Sequence, residues 1–336
     1  MASTINEICT SKERIKVLSV DGGGIRGIIP AGILAEVEKR TGKRASALFD
    51  LIAGTSTGGI LALGLTKPAP GTAEPAFTAA ELVGFYRQWG SYIFSRPLLY
   101  CLGSADGLVH ARYPDSPIEE ALSAFFGESR LKDAVTPLFI PSYELQMKTP
   151  FFFRSRMALK SNDYDFAMRE VARSTSAAPT YFPPKVLAGS GTSEPYILID
   201  GGVYANNPAL CAYVEAKVQF PAAREITVIS LGTGTVANTR AEVEAQNWGM
   251  AQWARPILDT VLGGISSTVD YQLSQLLPIR SDGTARYYRI QPFLPPGHDA
   301  MDNASASNLR ALEGVTAKAL GSNSKQIDAL CAELTA

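Results

Sequence analysis

The 336-residue sequence predicts an α/β fold, a mostly parallel central sheet flanked by helices, and three observations carry that prediction. Short apolar runs alternate with longer helical patterns, as in successive βαβ units. The first two runs, residues 15–20 and 48–53, each lead into a glycine-bearing turn that opens a helix. Hydrophobic residues make up 46% of the chain, enough at this length to bury a large core within one α/β domain.

The elements follow in order. Residues 15–20 form a strand, and Asp21-Gly22-Gly23-Gly24-Ile25-Arg26-Gly27 a glycine loop at the start of a helix. Residues 48–53 form a second strand with Asp50 in its middle, then Gly54-Thr55-Ser56-Thr57-Gly58 turns into the apolar helix that begins around Ile60. Lys67 to Pro75 is a Pro/Ala/Gly loop. Thr78-Ala79-Ala80-Glu81 and Ser116-Pro117-Ile118-Glu119 read as capping boxes, starting helices that end near Gly90 and Gly127. Between them, residues 92–103 are apolar without helical spacing, which suits either a flap over an acyl pocket or an ordinary packed connection. Strands are expected at 137–145 and 151–156, and a helix at 166–174. A strand over 196–199 ends on Asp200, a helix covers 208–218, and a buried strand covers 226–231. A helical region over 248–277 is interrupted at Pro256 and at Gly263-Gly264; a strand over 286–291 and terminal helices complete the chain.

The second turn carries the chemistry. A serine on a tight strand-to-helix turn has the layout of a nucleophile elbow, and flanking Gly54 and Gly58 allow the close approach such a turn needs. A serine hydroxyl reacts only when a neighbour takes its proton. The chain has two histidines, His110 and His298, and neither sits at the end of a core strand. Asp200 does, with Gly201-Gly202 behind it, at the mouth of the sheet where ligands of open α/β folds collect. Ser56 and Asp200 therefore read as a catalytic pair, and a carboxylate base implies an acid limb nearer about 3.9 than the imidazole value of about 6.5. Consecutive glycines after the first strand let several backbone N–H groups converge on one anion, and Arg26 adds charge or holds that loop.

Four blocks in order carry a family resemblance: Asp21 to Gly27, Gly54 to Gly58, Ser174-Thr175-Ser176-Ala177-Ala178-Pro179-Thr180-Tyr181-Phe182-Pro183, and Asp200-Gly201-Gly202. Together they resemble the patatin-like phospholipases over about residues 15–212. The resemblance implies a three-layer, modified α/β-hydrolase-type architecture, with residues 15–212 as catalytic core and 213–336 continuing the same domain. It implies Ser56 as nucleophile, Asp200 as its base, and the amides of Gly22, Gly23, Gly24 and Ile25 as the oxyanion hole. Arg26, Gly54, Gly58 and Gly201 are supporting residues. The implied activity is lipid acyl hydrolysis, a phospholipase A or nonspecific esterase, with no cofactor and no metal. The implied partner is lipid, met at a membrane surface. A small-ligand activator is compatible with it, since bacterial relatives include effectors activated by a cyclic nucleotide, as is a homodimer.

Two other readings compete. Gly22 to Gly27 also fits G-x-G-x-x-G after a strand with an acid, Asp50, beyond it, the fingerprint of a Rossmann dinucleotide site. A protein of the same fold could instead sense a ligand or store nitrogen with little hydrolysis. Composition narrows the rest. A net charge of −1 argues against nucleic acid as a partner. The N-terminus lacks an apolar signal region and no run reaches eighteen apolar residues, so a cytoplasmic protein with peripheral membrane contact is expected. Cys9, Cys101, Cys211 and Cys331 have no metal or redox spacing and read as thiols in a reducing compartment.

Overall fold

A computed structural model describes residues 12–96, 110–189, 194–236, 249, 253 and 256–336. The strands are β1 (Arg14–Val20), β2 (Leu51–Gly54), β3 (Leu138–Glu144), β4 (Thr149–Arg154), β5 (Lys185–Leu187), β6 (Tyr196–Asp200), β7 (Glu225–Leu231) and β8 (Tyr287–Ile290). The longer helices are α1 (Ile28–Thr41), α2 (Thr57–Thr66), α3 (Ala79–Ile93), α4 (Ser116–Phe126), α5 (Met168–Thr175), α6 (Ala209–Gln219), α7 (Pro256–Leu276), α8 (Ala306–Ser322) and α9 (Ser324–Thr335). All eight strands join one sheet in the order β5-β6-β3-β2-β1-β7-β8, with β4 paired to β3. The β3-β2-β1-β7-β8 run is parallel, while β4, β5 and β6 pair antiparallel.

Side chains that alternate along the central strands feed two cores, which is why these strands read as nearly continuous apolar runs. Leu18, Val20 and Ile52 face the larger core, built with α1 to α5, α8 and α9. Ile15, Val17 and Leu51 face a smaller one, closed by Ala209, Ala212 and Ala216 of α6 and Leu273 of α7. The result is the three-layer α/β arrangement the sequence predicts. Strands β7 and β8, from beyond residue 212, pair in the same sheet as β1.

One feature of the sheet positions the site. β4 occupies one edge of β3 from Phe139 to Glu144, so β2, paired at Leu138 and Phe139, and β6, paired at Ser142 to Glu144, share the other edge. β2 runs parallel to β3 and β6 antiparallel, so their carboxyl ends meet head to head about Pro141. Ser56 follows one of these ends and Asp200 is the other.

Several local expectations are corrected. Residues 45–48 form a helical turn, and β2 starts only at Leu51. Asp50 therefore precedes the strand and is not inside it; its carboxylate accepts from Lys16 N (2.7 Å) and Lys12 Nζ (2.5 Å). The Thr78 capping box forms with Glu81, but Ser116 does not cap its helix: Asp115 is the N-cap, and Pro117 occupies the first turn where no N–H is missed. Helix α3 runs past Gly90 to Ile93, and α4 stops at Gly127, whose φ is 54°. β4 is shifted to Thr149–Arg154, with a helical turn over Ser155–Ala158. Helix α7 passes unbroken through Gly263 and Gly264, where a helix interior tolerates glycine at a cost of about 1 kcal/mol each. The proposed flap at 92–103 lies outside the described residues from 97 onward; Tyr92 and Ile93 belong to α3.

Candidate active site

The turn after β2 is tight because of its glycines. A Cβ on Gly54 would overlap the Gly58 carbonyl, and one on Gly58 would overlap the carbonyls of Val20 and Asp21, so α2 lies directly against the end of β1. Between them Ser56 adopts φ 56° and ψ −124°, a conformation that costs a non-glycine residue of order 1–3 kcal/mol and persists only where the surroundings enforce it. Such strain at a serine heading a helix is the geometry of a nucleophile elbow.

Asp200 meets this serine from the opposite strand end. The carboxyl is buried, its Oδ1 accepts from Gly202 N at 2.7 Å, and the Ser56 hydroxyl lies in hydrogen-bonding reach of it. Burial dominates and pushes its pKa up from 3.8 to about 6, against the opposing pull of the Ser56 and Gly202 hydrogen bonds. A carboxylate so tuned is ionised near neutral pH yet basic enough to accept a proton. Desolvation thus lifts this carboxyl from the ordinary value of about 3.9 toward the imidazole range. Gly201 is required as glycine, since a Cβ there would meet the Pro141 carbonyl at 2.5 Å.

The glycine loop divides its amides between structure and solvent. Gly22 N donates to Asn206 O (3.0 Å) and Ile25 N to Met301 O (2.8 Å), so the expectation that both belong to an oxyanion hole is corrected. Gly23 and Gly24 differ. They stand at the N-cap and first position of a 3-10 turn, where an N–H has no partner within the turn, and among the described residues neither has a backbone acceptor. Both line a cavity that Ser56 and Asp200 also line. Arg26 Nε donates to Gly23 O at 3.2 Å, which fits its expected loop-holding role, and burial lowers its pKa.

The cavity is otherwise largely apolar. Ile60 of α2, Phe85 and Ile93 of α3, Ile118 of α4, Phe182, and Leu258 and Leu262 of α7 form its walls. It sets apolar walls beside the serine and few polar groups to orient anything else.

Asn206, Met301 and Arg289, all outside the sequence motifs, build the surroundings. Asp21 is buried and held by Arg289 through Nη1–Oδ1 (2.9 Å) and Nη2–Oδ2 (2.6 Å). Asn206 and Met301 anchor the loop through main-chain carbonyls, which leave no trace in residue type. Arg289 had a signal: an arginine inside an apolar strand needs an acid. The histidines are elsewhere, His110 exposed and His298 Nδ1 bonded to Asn308 Oδ1 at 2.6 Å. Among the described residues no three His, Cys, Asp or Glu side chains gather as a metal site.

The register also decides the dinucleotide reading. Val17 pairs with Leu51 and Val20 with Gly54, so Asp50 lies at the end of the sheet opposite the glycine loop. A strand of this length separates them by about 13 Å, too far for one ribose to bridge.

Residues 18–213 match the family model described as patatin-like phospholipase. The chain belongs to that family. It is 32% identical over 335 residues to the "probable inactive patatin-3-Kuras 1" of Solanum tuberosum, covering 92% of this chain and 87% of that one. Patatin-like protein 2 of Arabidopsis thaliana is 35% identical over 334 residues, covering 89% and 81%. Among solved structures, VipD from Legionella pneumophila is similar over 92% of this chain and 68% of that one, with 13% identity and a TM-score of 0.38.

Proposed function

We propose that this patatin-like chain is a lipid acyl hydrolase that cleaves carboxylic esters of phospholipids or related lipids through a Ser56–Asp200 dyad. The observation that carries the reading is the strained elbow serine beside a buried carboxylate on the wall of an apolar cavity. Family membership alone does not, since one similar relative is named probable inactive.

In this mechanism the acyl chain fills the cavity and brings its ester carbonyl to Ser56. Asp200 takes the hydroxyl proton as Oγ attacks, and the amides of Gly23 and Gly24 receive the negative charge on the carbonyl oxygen. Preorganised donors of this kind are worth about a hundredfold to a thousandfold each. The alcohol leaves with the proton from Asp200. Water, deprotonated in turn by Asp200, then releases the fatty acid and restores Ser56. No step requires a metal.

The substrate is met at a membrane surface by an enzyme of the cytoplasm. Ile257 and Val261 of α7 are exposed beside Leu258 and Leu262, which line the cavity, so one helix presents apolar side chains both outward and to the site. No described helix is long and apolar enough to cross a membrane.

Lipid mass spectrometry after incubation of purified protein with phospholipid vesicles tests the reading. Fatty acid and lysolipid should appear with wild type, and Ser56→Ala should form almost none. A fluorophosphonate should label Ser56 alone. Absence of turnover, or turnover that survives Ser56→Ala, would leave a ligand-sensing or storage protein of this fold.

A further inference from the structure

The end of helix α5 sits beneath the dyad and touches both of its members through their main chains. Thr175, fully buried, accepts the Ser56 N–H on Oγ1 at 3.0 Å and donates its own hydroxyl proton to Pro141 O at 2.6 Å. Two residues on, Ala177 O accepts the Asp200 N–H at 3.0 Å. Pro141 is the position about which the ends of β2 and β6 meet, and its carbonyl also lies against Gly201. The three bonds converge on that one point of the sheet.

From this convergence we infer that Thr175 is a positioning residue: its hydroxyl clamps the nucleophile's backbone N–H to the Pro141 carbonyl and so sets Ser56 against Asp200. The inference rests on the proposed dyad. Its physical basis is the conformation of Ser56, whose φ of 56° is unfavourable and needs an outside restraint. The Ser56 N–H has no main-chain acceptor among the described residues and has to be satisfied by a side chain. A threonine can do this because one hydroxyl both accepts and donates. The accepting lone pair is steered by the donation to Pro141, and the methyl group, packed on Gly59, fixes the rotamer. With its own amide engaged, Ser56 does not supply an oxyanion donor; that task falls to the glycine loop.

The test compares Thr175→Val, which keeps shape and removes the hydroxyl, with Thr175→Ser, which keeps the hydroxyl. With a soluble ester as substrate, Thr175→Val should lower kcat about tenfold to a hundredfold, the order of loss that follows small misplacement of reacting groups, and leave KM within twofold. Its rate of fluorophosphonate labelling should fall by the same factor. Thr175→Ser should recover kcat to within about threefold of wild type. A folded Thr175→Val enzyme with kcat within threefold of wild type overturns the inference, as does a fall in which KM rises in parallel or which Thr175→Ser shares in full. Should Thr175→Val fail to fold, Thr175→Ser decides alone, a tenfold loss of kcat in the folded variant being the overturning result. Absence of turnover in wild type, or turnover in Ser56→Ala, indicts the dyad itself and is a separate outcome.

Discussion

The elbow after β2 and the glycine loop after β1 are neighbouring glycine-bearing turns at the same end of the sheet, yet they are held in opposite ways. The close approach of the elbow is set from within and by the adjacent strand, Gly54 against Gly58 and Gly58 against Val20 and Asp21, with the Thr175 hydroxyl added from outside on the Ser56 N–H. The loop is held from far along the chain, by Asn206 O on Gly22, Met301 O on Ile25 and the Arg289 guanidinium on Asp21. Local constraint produces a motif that can be recognised in five residues. Remote constraint decides which of four similar amides stay free, and nothing inside the loop reveals that.

The largest effects should come from the elbow. Gly58→Ala would drive a Cβ into two backbone carbonyls that have no side-chain freedom to yield, and Gly54→Ala would do the same to Gly58 itself. Each should cost about 4 kcal/mol or more, measured by urea unfolding, with activity lost even where some fold survives. If Gly58→Ala were tolerated within about 1 kcal/mol, the elbow could not be as tight as described.

The loop should break differently, through a residue some 270 positions away. Arg289→Leu leaves the Asp21 carboxylate buried without its bidentate partner, a change that typically costs about 3–5 kcal/mol. Pairing it with Asp21→Asn removes the stranded charge and should restore part of that stability, which a double-mutant cycle in urea would show as coupling. Additive losses would mean that the pair does not hold the loop.

The comparison also explains what could be read in advance. The central strands were legible because parallel strands buried on both faces appear as apolar runs, and the elbow because strain at a serine demands glycines nearby; the strand order and the division into two cores were not. The proposed base was legible as an acid ending an apolar strand, although not its raised pKa, which arises from tertiary burial. The free amides of Gly23 and Gly24 were not legible, because the acceptors that remove Gly22 and Ile25 are backbone carbonyls at 206 and 301. Thr175 stood inside a recognised block, but its proposed role depends on β2 and β6, about 145 residues apart in the chain, each pairing with the same edge of β3.

Asp200 should reveal the cost of the site. Its pKa is raised from 3.8 to about 6, so the folded protein binds the proton more tightly than the unfolded chain. Its contribution to stability is therefore full below about pH 4 and is lost as pH rises through 6, a penalty of about 3 kcal/mol for the ionised form. Asp200→Asn carries no charge and can still accept from Gly202 N. It should lose nearly all hydrolysis yet melt at a higher temperature than wild type at pH 8, with the difference vanishing near pH 4. Equal melting temperatures at pH 8 would show that the carboxylate is solvated and its pKa ordinary.

The smallest effect should come from the histidines, and it carries the sharpest distinction. With Asp200 titrating near 6, the acid limb of kcat/KM falls where an imidazole would also place it, so the position of the limb cannot by itself identify the base. The double variant His110→Gln with His298→Gln separates the two. His110 is exposed and His298 is engaged with Asn308, so neither is set to take the Ser56 proton. The double variant should keep kcat within about threefold and retain an acid limb near pH 6, because both properties belong to Asp200. A general base supplied by histidine is worth about a hundredfold to ten-thousandfold. A loss of that size in a well-folded double variant, with the limb gone, would transfer the role of base from Asp200 to an imidazole.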